Sequence, residues 1–275
     1  MGSKKYPKYS VLMSVYYKEK PEFFLDAIKC MLGQTVKPAE FVIVCDGKLT
    51  PGLDAVLTRY ESNKIFKIIR LSKNVGLGPA LERGIHECSN ELIARMDSDD
   101  YSVPERIEKQ MEELVKNPAL DIIGSNVEEF CDSIDNIVSH VILPEDNERI
   151  VKFSKKRCPF RHPSLLYRKS AVLKAGNYRE YYLFEDYDIY VRMIRSGAIS
   201  KNIQEPLTYM RISKDFYKRR GGVKYVKSII RFKKEQFRVG YFTFGDFLIS
   251  TVPHVIVCLM PNFARDLIYR KLLRK

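Results

Sequence analysis

The sequence predicts an α/β protein, a mainly parallel sheet with helices on both faces. Two observations carry that reading. Short apolar runs alternate with stretches of helical periodicity from Tyr9 to Lys116, and each run ends in a polar or glycine-rich corner. The overall composition is that of a globular protein, with length enough for one large domain and an appendage.

Taken in order, Tyr9 to Val15 (YSVLMSV) reads as a buried strand, and Pro21 to Gln34 places Phe24, Ala27, Ile28, Met31 and Leu32 on one helical face. Strand Phe41 to Cys45 leads to a helix from about Pro51, with Leu53, Val56, Leu57 and Tyr60 aligned. Strand Lys67 to Leu71, helix Pro79 to Glu87, strand Leu92 to Met96 and helix Pro104 to Lys116 continue the pattern, with prolines near helix starts. Beyond residue 120 it loosens. Asp121 to Ser125, Asn136 to Leu143 and Ser164 to Tyr167 read as strands, Glu145 to Phe153 as a helix, and an acidic cluster at residues 185–188 leads into a helix from Ile189 to Ser196.

The first four strands end in Ser14-Val15-Tyr16-Tyr17, Asp46-Gly47, Asn74 to Gly78, and Asp97 to Asp100. In a parallel sheet these corners share one edge, where α/β proteins bind ligands. Asp97, Asp99 and Asp100 fall within four residues, directly after an apolar run. Carboxylates so crowded lose ionisation unless a cation sits between them, which points to a divalent metal. Helix capping before Pro104 accounts for one of these acids and not for three. An EF-hand loop fails because Tyr101 and Ser102 stand where a ligand and Gly are required. Asn74 to Gly78 lacks the G-x-G-x-x-G spacing of a dinucleotide fingerprint.

The formal net charge is +13, yet residues 1–213 carry 32 basic against 30 acidic residues, and residues 214–275 carry 15 against 4. A near-neutral body argues against nucleic acid as a partner, and the basic appendage argues for an anionic surface. Within that appendage, residues 247–264 contain no Asp, Glu, Lys or Arg. Pro253 and Pro261 interrupt them, so an interfacial or re-entrant segment and a helix packed on the body are the two readings. The six cysteines form no C-x-x-C pair and read as reduced thiols of a cytosolic protein.

Ser14-Val15-Tyr16, Asp46-Gly47, Asn74-x-Gly76-x-x-x-Ala80, Asp97-Ser98-Asp99-Asp100, His162-Pro163-Ser164 and Glu185-Asp186-x-Asp188 together resemble the motifs of the inverting family-two glycosyltransferases with the GT-A fold. The resemblance covers about residues 9–211 and implies transfer of a sugar from a nucleotide-diphosphate donor to a hydroxyl. It implies Asp99 as ligand of Mn²⁺ or Mg²⁺, Asp97 toward the ribose, Asp46 on a uracil-type base, and Asp186 as general base. Ser14, Tyr16, Asn74, Gly76, His162 and Arg211 complete the expected nucleotide-sugar site. Asp188 and Arg192, one turn apart, read as an ion pair. Tyr190 stands where relatives of that family carry Trp. Ser213 stands where His follows Tyr209-x-Arg211, leaving Arg211, Arg219 and Arg220 to close over the diphosphate.

The expected organisation is a GT-A catalytic domain over residues 1–213 and a basic membrane-associating tail over 214–275. The expected setting is the cytoplasmic face of a bacterial membrane, with a lipid-linked saccharide as acceptor. Two other classes stay open. A sugar nucleotidyltransferase would need no Asp186 base, and in a silent sugar-binding scaffold Asp99 and Asp186 would be dispensable.

Overall fold

The computed structural model describes residues 6–212 and 221–260. Strands β1 (Tyr9–Val15), β2 (Glu40–Cys45), β3 (Phe66–Arg70) and β4 (Leu92–Arg95) run parallel in the order β3-β2-β1-β4. Helices α1 (Pro21–Leu32), α2 (Pro51–Thr58) and α3 (Leu77–Glu87) connect them. Val11, Met13 and Val15 of β1 pack with Phe24, Ile28 and Leu53, whereas Leu12 packs with Leu81 and Ile85 on the opposite face. Burial on both faces explains why these strands read as continuous apolar runs. The chain steps outward from β1 to β3, then returns to β4 on the other side of β1. That reversal opens a crevice at the carboxyl ends of β1 and β4.

The second half adds β5 (Tyr101–Ser102), α4 (Arg106–Lys116), β6 (Leu120–Phe130), β7 (Ile137–Val141), α5 (Asn147–Ser154), β8 (Leu166–Arg168), α6 (Lys169–Lys174), α7 (Glu185–Arg195) and β9 (Ile199–Arg211). Strand β8 joins β4 to β6 antiparallel, β9 runs parallel to β6, and β5 pairs antiparallel with β9. The thirteen-residue β9 has no counterpart in the elements expected from sequence. Pro206 obscures it there. The ladder accommodates this proline where the register jumps from Ile203 to Pro206 opposite Ser125 and Asn126, as at a bulge. Helix α7 starts at Glu185 rather than Ile189, so Glu185, Asp186 and Asp188 occupy its first turn, where the helix dipole favours negative charge.

The appendage contributes α8 (Val223–Arg238) and α9 (Phe244–Leu259). Tyr225, Val226, Ile229 and Phe232 of α8 pack on Tyr181, Phe184, Tyr187 and Val191. Arg179 ties Asp188 of α7 to Glu235 of α8, the latter at 2.7 Å. Residues 247–259 of the apolar segment belong to a helix that packs on α8 and is opened by a capping box between Thr243 and Asp246. Pro261 to Ala264, Ser213, Lys218, Arg219 and Arg220 lie outside the described residues. Among the described residues no helix is long and apolar enough to cross a membrane. All six cysteines are free thiols.

Candidate active site

A single cleft of about 1520 Å³ lies over the crevice, and all ten residues expected from sequence line it: Ser14, Tyr16, Asp46, Asn74, Gly76, Asp97, Asp99, His162, Asp186 and Arg211. The first wall is built on Asp46. Its carboxylate accepts hydrogen bonds from the Asn74 side chain (2.9 Å) and from the backbone N–H groups of Val75 (2.7 Å) and Gly76 (3.0 Å). Gly47 allows this close approach, since its φ is +85° and a Cβ there would stand 2.6 Å from the Asn74 nitrogen. Asp46 thus holds the Asn74–Gly76 loop in place, a structural task in addition to the base contact expected of it.

The acidic corner after β4 is wired to a buried network. Arg95, fully buried, pairs with Asp97 and donates through Nε to His162 Nε2 at 3.2 Å. Tyr178 Oη lies 3.0 Å from the same imidazole nitrogen. Burial, then the charge of Arg95, holds His162 well below its ordinary pKa, so the ring is neutral, and a proton on Nδ1 leaves Nε2 to accept. Asp99 is pushed up to about 7 by burial and by the negative charges of Glu19 and Asp97. Asp100 is also raised, by burial and by its two acidic neighbours, and accepts the Arg211 N–H at 2.7 Å. Arg211 further donates to the carbonyls of Asp99 (3.0 Å) and Asp132 (2.9 Å), and its guanidinium lies 3.7 Å from the Phe23 ring centre. The end of β9 is thereby fastened to the acidic corner.

The donor set fits a small divalent cation. Among the described residues no three acidic, His or Cys side chains form a metal cage. Mg²⁺ and Mn²⁺ need few protein carboxylates when a diphosphate supplies the remaining oxygens. Asp99 lines the cleft as a hard oxygen donor whose ionisation is suppressed by burial and then by the charges of Glu19 and Asp97, and a cation there would relieve that repulsion.

Across the cleft, α7 presents Asp186 on its first turn, with one carboxylate oxygen accepting the Tyr187 N–H at 2.6 Å. Glu185 beside it is pushed up to about 8 by burial and by the charges of Asp186 and Asp97, and the two acidic motifs line the same cleft. Asp188 is fully buried and gripped by Arg179 and Arg192, the latter through Nε at 2.9 Å and Nη2 at 2.7 Å. The ion pair expected from the sequence is present, and it withdraws Asp188 from the cleft. Gly78 lets the start of α3 abut this region, because a Cβ there would collide with the Arg179 carbonyl.

Several lining residues escape sequence reasoning: Glu19 beside Asp99, and a far wall containing Lys156, Arg157, Arg161, Tyr225, Ile249, Pro253, His254 and Val257. Arg95 escapes too. A charged residue closing a strand buried on both faces was its signal.

Residues 10–176 match the sequence profile described as glycosyl transferase family 2. The chain is 37% identical over 269 residues to the UDP-Gal:alpha-D-GlcNAc-diphosphoundecaprenol beta-1,3-galactosyltransferase of Escherichia coli, spanning 98% of both proteins. It is 35% identical over 223 residues to the amylovoran biosynthesis glycosyltransferase AmsE of Erwinia amylovora, spanning 81% of this chain and 83% of AmsE. Its backbone resembles S. aureus TarS 1-349 in complex with UDP-GlcNAc, with a TM-score of 0.65 and 14% identity over 83% of this chain and 66% of the other. It also resembles the mannosyltransferase PcManGT from Pyrobaculum calidifontis in complex with GDP-Man and Mn2+, with a TM-score of 0.63 and 12% identity over 96% and 73%. At those identities the structural likeness speaks to the fold alone. With the profile spanning more than half of its length and a relative aligned end to end, the chain belongs to glycosyl transferase family 2 and has the GT-A fold.

Proposed function

We propose that this glycosyltransferase moves a hexose from a UDP-linked donor to a hydroxyl of a lipid-linked saccharide, with inversion, in the assembly of a bacterial surface polysaccharide. The observation that carries this reading is the meeting of two acidic motifs from distant parts of the chain, Asp97–Asp99 and Glu185–Asp186, across one cleft. The donor lies along the Asp46, Asn74–Gly76 and Asp97 wall. Asp99 would hold a divalent ion, which would supply positive charge to offset the negative charge gathering on the leaving diphosphate. Asp186 takes the proton of the acceptor hydroxyl as its oxygen attacks the anomeric carbon from the face opposite the diphosphate. The bond between that carbon and the diphosphate oxygen breaks, nucleoside diphosphate leaves, and the configuration inverts. Arg95 orients Asp97 through their ion pair, and neutral His162 keeps Arg95 oriented in turn.

The donor and acceptor of the E. coli relative make UDP-galactose and a GlcNAc-diphospholipid the first pair to test. The full chain with Mn²⁺ should yield a β-linked disaccharide lipid, and EDTA should abolish the product. Asp99→Ala should weaken UDP binding in the presence of Mn²⁺ by at least about tenfold, read by calorimetry, because the ion loses its protein carboxylate. Absence of transfer from every UDP-hexose, or metal-independent UDP binding in wild type, would overturn the proposal.

The same reading places the enzyme at the cytoplasmic face of the membrane. Leu248, Val252, Ile256 and Leu259 form an exposed apolar stripe on α9, and α8 exposes Lys224, Lys227, Arg231 and Lys234. Such a pairing suits an anionic leaflet.

A further inference from the structure

The cleft is larger than a typical small-molecule pocket, and its far wall differs chemically from the acidic donor side. Lys156, Arg157 and Arg161 line it from the segment after α5, and Ile249, Pro253 and Val257 line it from α9. These α9 positions are spaced by four residues, as are Leu248, Val252 and Ile256 on the neighbouring stripe, so two adjoining apolar faces of the helix, one at the open rim of the cleft where Ile249 is itself 68% exposed, are accessible from solvent.

The basic segment is held by its backbone. Tyr187 Oη donates to the Ser154 carbonyl at 2.6 Å, Lys233 Nζ to the Lys156 carbonyl at 3.4 Å, and Asn202 Nδ2 to the Pro159 carbonyl at 3.2 Å. Tyr241 Oη also meets the Ser154 hydroxyl at 2.6 Å. Tyr187 follows Asp186 directly, so the helix turn that carries the acidic side chain also positions the basic segment.

We propose that Lys156, Arg157 and Arg161 form a seat for the diphosphate of a polyprenyl-diphosphate-linked acceptor, with its first prenyl units lying along Ile249, Pro253 and Val257. The inference rests on the lipid-linked reading of the acceptor and adds the residues that recognise its diphosphate and first prenyl units. A diphosphate supplies about two negative charges for three cations. Its sugar end then extends toward Asp186, and its chain leaves along α9 toward the exposed stripe. Seating the acceptor by its diphosphate fixes the distance from lipid to reacting hydroxyl whatever sugar is presented.

The test uses the full chain in neutral detergent, with the donor site filled by UDP and Mn²⁺, and titrates a C15 prenyl diphosphate, the C15 prenyl alcohol and inorganic pyrophosphate. The prenyl diphosphate should bind at least about tenfold tighter than either the alcohol or pyrophosphate. The triple variant Lys156→Gln, Arg157→Gln, Arg161→Gln should erase the advantage over the alcohol and leave UDP affinity unchanged. A charge-matched control, Lys224→Gln, Lys227→Gln, Lys234→Gln, should keep it. Equal binding of diphosphate and alcohol, full retention in the triple variant, equal loss in the control, or pyrophosphate binding as tightly as the prenyl diphosphate would each overturn the seat. A fall in UDP affinity in the triple variant would also overturn it, by assigning these cations to the donor. Binding is read without turnover, so failure of sugar transfer would count against the proposed reaction and leave this result to be judged separately.

Discussion

At the scale of single residues, the acidic pair on α7 divides into two different groups. Burial and the neighbouring Asp186 charge push Glu185 up to about 8, which disfavours it as acceptor of the hydroxyl proton near neutral pH, whereas Asp186 sits at the cleft with that task open to it. Asp186→Asn should therefore lower turnover by roughly 10²- to 10⁴-fold with little change in UDP affinity, while Glu185→Gln should stay within a few-fold of wild type at pH 7. Initial rates decide this, and the opposite ranking would make Glu185 the base. His162 gives a second test. Its folded pKa lies below the ordinary 6.5, so the unfolded chain binds the extra proton and stability is lost as pH falls through 6.5. The stability gap between wild type and His162→Gln should shrink by about 1 kcal/mol from pH 7.5 to 5.5 in urea unfolding. A constant gap would mean that the imidazole does not titrate on unfolding.

At the scale of elements, α8 acts as a strut for α7. Its Lys233 is fully buried among the rings of Tyr187, Phe232 and Phe242, and burial pulls its pKa down from 10.5 to about 7. Between those values the unfolded chain holds a proton that the folded chain lacks, so this contribution rises with pH from about 7 to 10.5 and is most unfavourable below 7. Lys233→Met should stabilise the fold by about 1–4 kcal/mol at pH 6.5, and the gain should fade toward pH 10.5. Urea unfolding at both ends of that range checks the sign. The same substitution removes the hydrogen bond to the Lys156 carbonyl, so a more stable protein that uses its acceptor less well is expected. Strand β9 plays the corresponding part on the other side, carrying Arg211 back to Asp99 and Asp100 over more than a hundred residues of sequence.

At the scale of the whole molecule, the basic appendage and the catalytic body share a core through α8, which alters how membrane attachment should be tested. Removing residues 214–275 would strip Phe184, Tyr187 and Val191 of their packing, so loss of donor binding in that truncation would report on folding. Surface substitutions avoid this. Lys224, Lys227, Arg231 and Lys234 changed to Gln should weaken flotation with anionic vesicles at low salt, because screened attraction is what they supply. Leu248, Val252, Ile256 and Leu259 changed to Ser should weaken it at high salt as well, since apolar burial is not screened. A wild-type chain that ignores vesicles would remove the membrane from the proposal.

The parallel half of the sheet was legible in the sequence because strands buried on both faces must be apolar throughout, and βα units leave their corners on one edge. Seven of the ten residues expected at the cleft, Ser14, Tyr16, Asp46, Asn74, Gly76, Asp97 and Asp99, were legible for the same reason, whereas His162, Asp186 and Arg211 came from the family resemblance, which also suggested the roles of all ten. The sequence by itself also determined the ion pair of Asp188 with Arg192, which is local, and the uneven charge. Other features depended on tertiary structure because they arise from contacts between distant segments. Arg95 acquires meaning only when His162 and Tyr178 close over it, and β9 only when a bulge admits Pro206 beside β6. Whether the apolar tail would pack or lie loose turned on α8, whose aromatic face found Tyr181, Phe184 and Tyr187. Helical periodicity announces an apolar face, but the surface that covers it is set by the fold.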